Sequence, residues 1–170
     1  MRNKSIQYYV EGEDEKKLVS VLKSNMGAIR PGKVQKLNVL QDYITDANLR
    51  TLKDGTIVVL VFDTDTNQTE ILKKNIQKLK KCRFISSTIT IPQVKNLEDE
   101  LVHSCNIKRI TELLNSRSRK DFKSDLIHIS NLEEKLQEHK FDLTAFWSRK
   151  PGPPYQDISN DAEKIKIYDN

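Results

Sequence analysis

Cysteine is scarce in this sequence, and glycine, proline and long apolar runs are scarce as well. The two cysteines, Cys82 and Cys105, are too few for a disulfide framework and stand in no CxxC or CxxH spacing that would indicate zinc. Five glycines and five prolines exclude collagen-like and low-complexity chains. No apolar run approaches the roughly 18 residues of a membrane span, and the first residues lack the apolar stretch of a signal peptide. We therefore expect a cytoplasmic protein with reduced thiols and no membrane partner.

What is present is a polar, basic chain. A length of 170 residues predicts one domain with at most a small appendage. Lysine and arginine number 29 against 24 acidic residues, a net charge of +5, and basic residues are concentrated in two clusters. Such clusters bind phosphate backbones, although ordinary solvated helix faces carry them too. The candidate nucleic-acid contacts are Lys73, Lys74 and Lys81 in the first cluster and Arg117, Arg119 and Lys120 in the second, which also includes Lys123.

Strand and helix patterns alternate over the first 95 residues. The predicted strands are Ser5–Val10, Val34–Val39, Thr56–Phe62 and Arg83–Ile91, and the predicted helices between them are 13–26, Leu40–Leu52 and Asn67–Lys81. The third strand is uninterrupted and rich in β-branched residues, as expected of a strand covered on both faces. The alternation predicts βαβ units and an α/β fold with a mostly parallel, Rossmann-like sheet of about four strands flanked by helices.

After Pro92 the pattern becomes helical. The short helical candidates are Leu97–Val102, Ile107–Leu114, Asn131–His139 and Leu143–Trp147. We therefore predict an α/β core over residues 1–95, a helical extension packed on it over residues 96–150, and a Pro-rich break with a loosely attached tail over residues 151–170.

Acidic residues follow two of the predicted strands. Glu11 comes directly after the first strand, and Asp63 and Asp65 come after the buried third strand. Ligand sites of open α/β sheets collect at the carboxyl ends of the strands, so the three carboxylates are expected to converge if the strands are neighbours. A carboxylate pair about 4 Å apart costs on the order of 4 kcal/mol at an effective dielectric constant near 20, so a proton or a divalent cation has to neutralise it. Oxygen ligands without histidine or cysteine favour Mg²⁺ or Mn²⁺. The simpler alternative is that these acids only cap the helices that follow.

The order of these motifs resembles a known family. A strand running into Glu11-Gly12 and a helix, followed by an apolar strand running into Asp63-x-Asp65, resembles the Toprim domain of topoisomerases, bacterial primases, small ribosomal-RNA-maturing ribonucleases and overcoming-lysogenization-defect nucleases. The resemblance covers roughly residues 5–92. It implies Mg²⁺-dependent cleavage of nucleic-acid phosphodiesters, with Glu11 as the general acid/base and Asp63 and Asp65 as metal ligands. At this length the resemblance favours a small stand-alone nuclease, or a subunit of a phage-defence or other nucleic-acid-processing assembly.

Further acids lie near the same motifs. Glu98 and Asp99 open the helical pattern after the fourth strand, resembling the acidic helix start of small Toprim proteins, and either is a candidate ligand for a second metal ion. Glu15, one helical turn after Glu11, is another candidate. The alternative for all three is an ordinary acidic first turn, which the helix dipole favours.

Two other functions remain open. Several Toprim proteins carry a third acid where this chain has Asn67, which favours a non-catalytic Toprim-like subunit that binds nucleic acid or a larger protein partner. The segment VVLVFDTDTNQT also resembles the DxDxT motif of haloacid-dehalogenase-like phosphatases, in which the first aspartate is the nucleophile. That second resemblance leaves Glu11-Gly12 without a role.

Overall fold

Four parallel strands form one sheet at the centre of the molecule. The strands are β1 (Ile6–Val10), β2 (Lys33–Lys36), β3 (Thr56–Asp63) and β4 (Ile85–Gln93). They are arranged in the order β2-β1-β3-β4, and every neighbouring pair is parallel. The computed structural model describes residues 3–169, and it confirms the predicted α/β fold with a Rossmann-like sheet flanked by helices.

Seven helices surround the sheet in the described part of the chain. They are α1 (Glu13–Ser24), α2 (Asp46–Arg50), α3 (Glu70–Lys81), α4 (Leu97–Ser104), α5 (Thr111–Leu114), α6 (Arg119–His128) and α7 (Leu132–Glu138), and a short 3₁₀ turn follows at Ala162–Lys164. None of the described helices is long and apolar enough to cross a membrane.

Strand β3 is the centre of two hydrophobic cores, one on each face of the sheet. All of its residues are buried, as the uninterrupted apolar run predicts. Because side chains alternate along a strand, Val59 packs into one core with Leu18 of α1, whereas Val58 packs into the other core with Leu72 of α3. Helices α1 and α3 therefore lie on opposite faces of the sheet.

The chain leaves β1 and β3 in opposite directions. The connection through α1 runs from β1 outward to β2, and the connection through α3 runs from β3 outward to β4 on the other side. The boundary between β1 and β3 is thus the point at which the strand order reverses. In open α/β sheets a crevice forms at the carboxyl ends of the strands at such a point, and ligands bind there.

Residues 96–150 cover the α1 face of the sheet. Leu101 of α4, Phe122 of α6 and Leu136 of α7 are buried in the same core as α1. The helical extension therefore packs directly on the α/β core. It begins close to the carboxyl edge of the sheet, because α4 starts four residues after the end of β4.

The last residues are packed rather than loosely attached. Tyr155, Ala162 and Ile165 are buried, the amide of Asn160 donates to the carbonyl oxygens of Trp147 and Arg149, and an antiparallel bridge joins Lys166 to Ile29. The sequence analysis underestimated this segment because its apolar residues are too few and too widely spaced to form a helix or strand pattern.

The predicted helix Leu40–Leu52 is reduced to α2. The buried side chain of Asn75 replaces helical hydrogen bonds here: its amide nitrogen donates to the carbonyl oxygens of Val39 and Asp42, and its oxygen accepts from the backbone N–H of Ile44. A loop whose backbone groups are satisfied by a distant side chain needs no regular structure.

The helical extension differs from the sequence prediction in three places. The predicted helix Ile107–Leu114 is shortened to α5, and residues 107–110 are irregular. Helix α6 was not predicted; its N-cap is Ser118, whose hydroxyl accepts from the backbone N–H of Asp121. The predicted helix Leu143–Trp147 is a series of turns, and Trp147 has the left-handed φ of 55°.

Candidate functional site

Glu11 and Asp63 meet where β1 and β3 end. The Oε2 atom of Glu11 accepts a hydrogen bond of 3.1 Å from the backbone N–H of Asp63. The strand register explains the contact, because Tyr9 of β1 pairs with Leu60 of β3, so the chain reaches Glu11 and Asp63 at nearly the same level. The structure therefore brings together two acids that the sequence analysis expected to converge.

Four more carboxylates surround this pair. The negative charges of Asp65 and Asp14 raise the pKa of Glu11. In the same way Glu98 raises the pKa of Asp63, and Asp63 raises the pKa of Glu15. We call the whole group the acidic cluster; its members are Glu11, Asp14, Glu15, Asp63, Asp65 and Glu98. It lies at the point where the strand order reverses, and it contains the predicted site residues Glu15 and Glu98.

Gly12 allows the carboxylates of α1 to fold back toward the strand end. A Cβ atom on Gly12 would lie 2.9 Å from Oδ1 of Asp14 and 3.2 Å from Oε2 of Glu15. A larger residue would push both carboxylates outward. Steric crowding by these two carboxylates thus explains why a glycine follows Glu11.

Burial and mutual repulsion raise the pKa values of Glu11 and Asp63. Burial, followed by the charge of Glu11, raises the pKa of Asp63 to about 8, although a hydrogen bond from Gln93 opposes the rise. Burial is also the main cause that raises the pKa of Glu11, with the neighbouring Asp65 adding to it. Without a bound cation, the cluster therefore retains protons at neutral pH.

Glu15 is the most strongly perturbed carboxyl group of the cluster. Burial, a side-chain hydrogen bond with Asp14 and the charge of Asp14 raise its pKa to about 10. Its Oε2 atom is buried and has no hydrogen-bond partner. A proton on Glu15 would give the buried carboxyl group a donor, which agrees with the raised pKa.

Lys123 of α6 supplies positive charge to the cluster. Its Nζ atom lies 3.6 Å from Oε1 of Glu98, whose side chain is only 4% exposed. Partial burial alone would lower the pKa of Lys123. The negative charges of the nearby carboxylates, above all those of Glu98 and Asp14, outweigh burial and raise the pKa. Sequence reasoning placed Lys123 in a surface cluster and missed this role, because it did not predict α6.

Gln93 and Trp147 hold Asp63 in place. The buried Nε2 atom of Gln93 donates to Oδ1 of Asp63 at 2.7 Å, and the indole N–H of Trp147 donates to Oε1 of Gln93 at 3.0 Å. Because an indole can only donate, Trp147 requires the amide oxygen on its side and so fixes the amide N–H toward Asp63. Sequence analysis missed Gln93; a polar residue at the end of an apolar strand was the available signal.

Glu98 and Asp99 point into different surroundings, although they are neighbours on α4. Glu98 is buried and belongs to the acidic cluster. The partly exposed carboxylate of Asp99 lies 3.8 Å from Nζ of Lys95 and 3.8 Å from a guanidinium nitrogen of Arg119. Of the two predicted ligands of a second metal ion, only Glu98 lies with the other carboxylates.

Glu100 has a structural role in the same first turn of α4. It is fully buried, and its two oxygens accept from the backbone N–H groups of Val94 and Trp147 at 2.7 and 3.3 Å. An ion pair with Arg149 at 3.6 Å completes its environment. Glu100 therefore ties the end of β4 to the segment that carries Trp147.

The two predicted basic clusters lie on different parts of the molecule. Lys73, Lys74 and Lys81 belong to α3, and the last two line a groove of about 610 Å³ with residues of α2. Arg117 and Arg119 line a separate cleft of about 420 Å³ that also includes Glu98 and Asp99. Lys120 is exposed in the first turn of α6. Only the second group adjoins the acidic cluster.

The acidic cluster offers carboxylate oxygens, which are the ligands that Mg²⁺ prefers. Its side chains are not close enough together to form a complete metal site. Within residues 3–169, no three histidine, cysteine, aspartate or glutamate side chains are grouped tightly enough to enclose a metal ion. The hydrogen bonds described above use only one oxygen of Glu11 and one of Asp63. The other oxygen of each remains for a cation, provided that the carboxylates shift toward it.

The chain was compared with protein-family models, with curated proteins and with solved structures, and no match was found in any of the three.

Proposed function

We propose that this protein cleaves nucleic-acid phosphodiester bonds with the help of Mg²⁺ or Mn²⁺, at a site that resembles that of Toprim nucleases. The observation that carries the proposal is the contact between Glu11 and Asp63 at 3.1 Å, at the reversal of strand order. It supports the expected pairing of the Glu-Gly and Asp-x-Asp motifs. Helix capping alone gives no reason for six carboxyl groups to be gathered around one point.

A divalent cation would relieve the cost of this arrangement. The raised pKa values of Glu11, Glu15 and Asp63 show that their ionised forms are disfavoured as the cluster stands. A cation with oxygen ligands removes that cost by drawing the carboxylates toward it. In this proposal Asp63 and Asp65 are the main ligands, Glu98 and Glu15 lie close enough to assist, and Asp99 is not a ligand.

Each residue then has a definite part in the reaction. A bound Mg²⁺ would polarise the phosphodiester and stabilise charge on its oxygens. Glu11 would exchange a proton with the attacking or leaving oxygen, a task that suits a carboxyl group of raised pKa. Gln93 would keep Asp63 oriented through its 2.7 Å hydrogen bond.

The experiment is a cleavage assay on plasmid DNA and on structured RNA with Mg²⁺ or Mn²⁺. We expect Asp63→Ala and Glu11→Gln each to lower the rate by at least about 100-fold, the usual scale for loss of an acid/base or a metal ligand. Asp54→Ala is the matched control, because Asp54 is an exposed acid at the opposite end of β3. Equal activity of the wild type and the two site variants would overturn the proposal.

A second candidate function is a non-catalytic subunit that binds nucleic acid or a larger protein partner. Lys123 favours it, because an ammonium group within 3.6 Å of Glu98 together with retained protons lets the cluster exist without a metal. Asn67 in place of an acid points the same way. In the same assay this function predicts strand binding with no turnover under any metal.

The phosphatase alternative is not favoured, because it gives no role to Glu11, whose carboxylate accepts a hydrogen bond from the backbone N–H of Asp63.

A cytoplasmic location agrees with the free thiols of Cys82 and Cys105, because reduced cysteines persist in that compartment.

A further inference from the structure

We propose that the cleft between α4 and the start of α6 holds the sugar–phosphate backbone of the substrate strand beside the acidic cluster. We call it the α4–α6 cleft; its charged lining residues are Glu98, Asp99, Lys108, Arg109, Arg117 and Arg119. This inference rests on the proposed function, since it names the surface that delivers a nucleic acid to that site.

The α4–α6 cleft has the size and charge that a strand requires. Its volume is about 420 Å³, and it is lined by four cationic side chains and two carboxylates. Lys108, Arg109, Arg117 and Arg119 are exposed, so phosphate oxygens can reach them. Arginine guanidinium groups bind phosphate in a two-pronged geometry that lysine lacks, and three of the four cations are arginines.

Hydrogen bonds hold the walls of the cleft in place. The carboxylate of Glu112 accepts from the backbone N–H groups of Lys108 and Arg109, at 2.6 and 3.2 Å, and closes the loop that carries both side chains. Next to Arg117 and Arg119, the hydroxyl of Ser116 donates to the carboxylate of Asp125 at 2.7 Å, and the hydroxyl of Ser118 accepts from the backbone N–H of Asp121 at 3.1 Å. The basic groups are therefore attached to ordered backbone, which lowers the entropic cost of binding.

The cleft and the acidic cluster are continuous. Glu98 belongs to both, and its neighbour Asp99 pairs with Arg119 at 3.8 Å. A phosphate approaching six carboxylates is repelled unless positive charge lies close by. The guanidinium groups next to Glu98 supply that attraction for the phosphates that flank the scissile one, while the cation in the cluster serves the scissile phosphate itself.

The lysines of α3 do not fit this task. Helix α3 starts beyond the end of β3 and runs back toward the opposite end of the sheet, about 18 Å over its 12 residues. Lys81 in its last turn is therefore far from Asp63, and Lys74 lies over the ring of Tyr43 on the α2 side. These lysines provide a matched control with the same change in charge.

The test measures binding without cleavage. A short fluorescein-labelled single strand is titrated by fluorescence anisotropy in Ca²⁺, with the wild type, with Arg109→Ala/Arg117→Ala and with Lys74→Ala/Lys81→Ala. We expect the cleft variant to raise Kd at least tenfold near 0.1 M salt and to reduce the slope of log Kd against log salt by about 1.4, which is the loss of two phosphate contacts to a single strand. We expect the α3 variant to change Kd less than twofold.

Several results would overturn the inference. They are no binding by the wild type, an unchanged Kd in the cleft variant, and equal weakening by the two variants, which would indicate a diffuse charge effect. All four substituted side chains lie on the surface. A further comparison uses the single substitutions Arg109→Ala and Arg109→Glu in the same titration, and Arg109→Glu should weaken binding more than Arg109→Ala.

The outcome is separable from that of the proposed function. If the wild type does not cleave but the cleft variant alone loses binding, the nuclease proposal fails and the α4–α6 cleft stands as a binding surface. If the wild type cleaves and Asp63→Ala does not, while the cleft variant binds as the wild type does, the nuclease stands and the cleft assignment is wrong.

Discussion

The backbone N–H of Asp63 donates to the carboxylate of Glu11, and this bond joins the carboxyl ends of the two central strands. It has an electrostatic consequence. The N–H group lowers the pKa of Glu11, but burial raises it more. The hydrogen bond therefore holds the two residues together, although the ionised form of Glu11 remains unfavourable. The cluster is thus a place where protons and divalent cations compete for the same oxygens.

Replacing Asp63 should make the metal-free protein less sensitive to pH. The pKa of Asp63 is 3.8 unfolded and about 8 folded, so the folded state binds the extra proton. A raised pKa contributes stability below the unfolded value, and that stability is lost as pH rises through the folded value. The contribution of Asp63 to the free energy of unfolding should therefore fall by on the order of 3 kcal/mol between pH 5 and pH 8. Urea unfolding of the wild type and of Asp63→Asn, both in EDTA, measures the fall, which should be smaller in the variant.

The control for this prediction is Asp54→Asn, which removes an exposed carboxyl group at the far end of the sheet. It should keep the pH dependence of the wild type. Identical slopes against pH in the wild type and Asp63→Asn would show that Asp63 is ionised in the folded protein and that the electrostatic account of the cluster is incorrect.

Divalent cations should restore stability at high pH. At pH 8 the cluster is closest to ionised, so Mg²⁺ competes with fewer protons than at pH 5. A concentration near 100 times Kd stabilises the folded state by about 2.7 kcal/mol, which corresponds to roughly 5–10 °C in Tm for a chain of this size. Thermal unfolding with and without Mg²⁺ at the two pH values checks this. A Tm gain that is the same at both pH values, or that survives in Asp63→Ala, would point to cations bound elsewhere.

The acidic residues of the site could be predicted from the sequence. The hydrogen bonds that orient them, from Gln93 and Trp147, could not. Glu11 and Asp63 stand at the ends of two strong strand patterns, and parallel strands place such ends at one edge. The resemblance added an expected role to each. The bond between Gln93 and Trp147 joins residues 54 positions apart, and the second of them lies in irregular turns. No local pattern marks such a contact.

Lys123 illustrates a different reason for failure. The sequence groups it with the basic residues Arg119 and Lys120 in a cluster of the kind that solvated helix faces also carry. In the structure, α6 has buried Phe122 and Leu126 on one side, and the next position along the helix turns Lys123 toward the cluster. A charged residue beside a buried one can face a partly buried acidic cluster, and only the three-dimensional packing of α6 on α1 reveals which way it points.

Trp147→Phe should impair the site without emptying the core. The substitution keeps an aromatic ring but removes the N–H that donates to Gln93, so the amide loses its fixed orientation toward Asp63. We expect a loss of about 1–3 kcal/mol in stability from the unpaired buried oxygen, and a lower apparent affinity for Mg²⁺ by isothermal titration calorimetry. Tyr8→Phe is the control, since it removes a different buried donor, the hydroxyl that bonds to the carbonyl oxygen of Arg30. If both variants lose stability and neither changes the Mg²⁺ affinity, Trp147 is structural only.

Lys123→Met should strengthen the binding of a divalent cation. The ammonium group of Lys123 lies 3.6 Å from Glu98 and raises the local potential, so it competes with a metal ion for the same carboxylates. Because the lysine side chain is 59% exposed, its contribution is about 1 kcal/mol, which corresponds to a roughly fivefold decrease in Kd for Mg²⁺. Lys120→Met removes the same charge from an exposed position on the same helix and should leave Kd unchanged. The same calorimetric titration compares the three proteins. Weaker Mg²⁺ binding by Lys123→Met would mean that the ammonium group organises the carboxylates rather than competing for them.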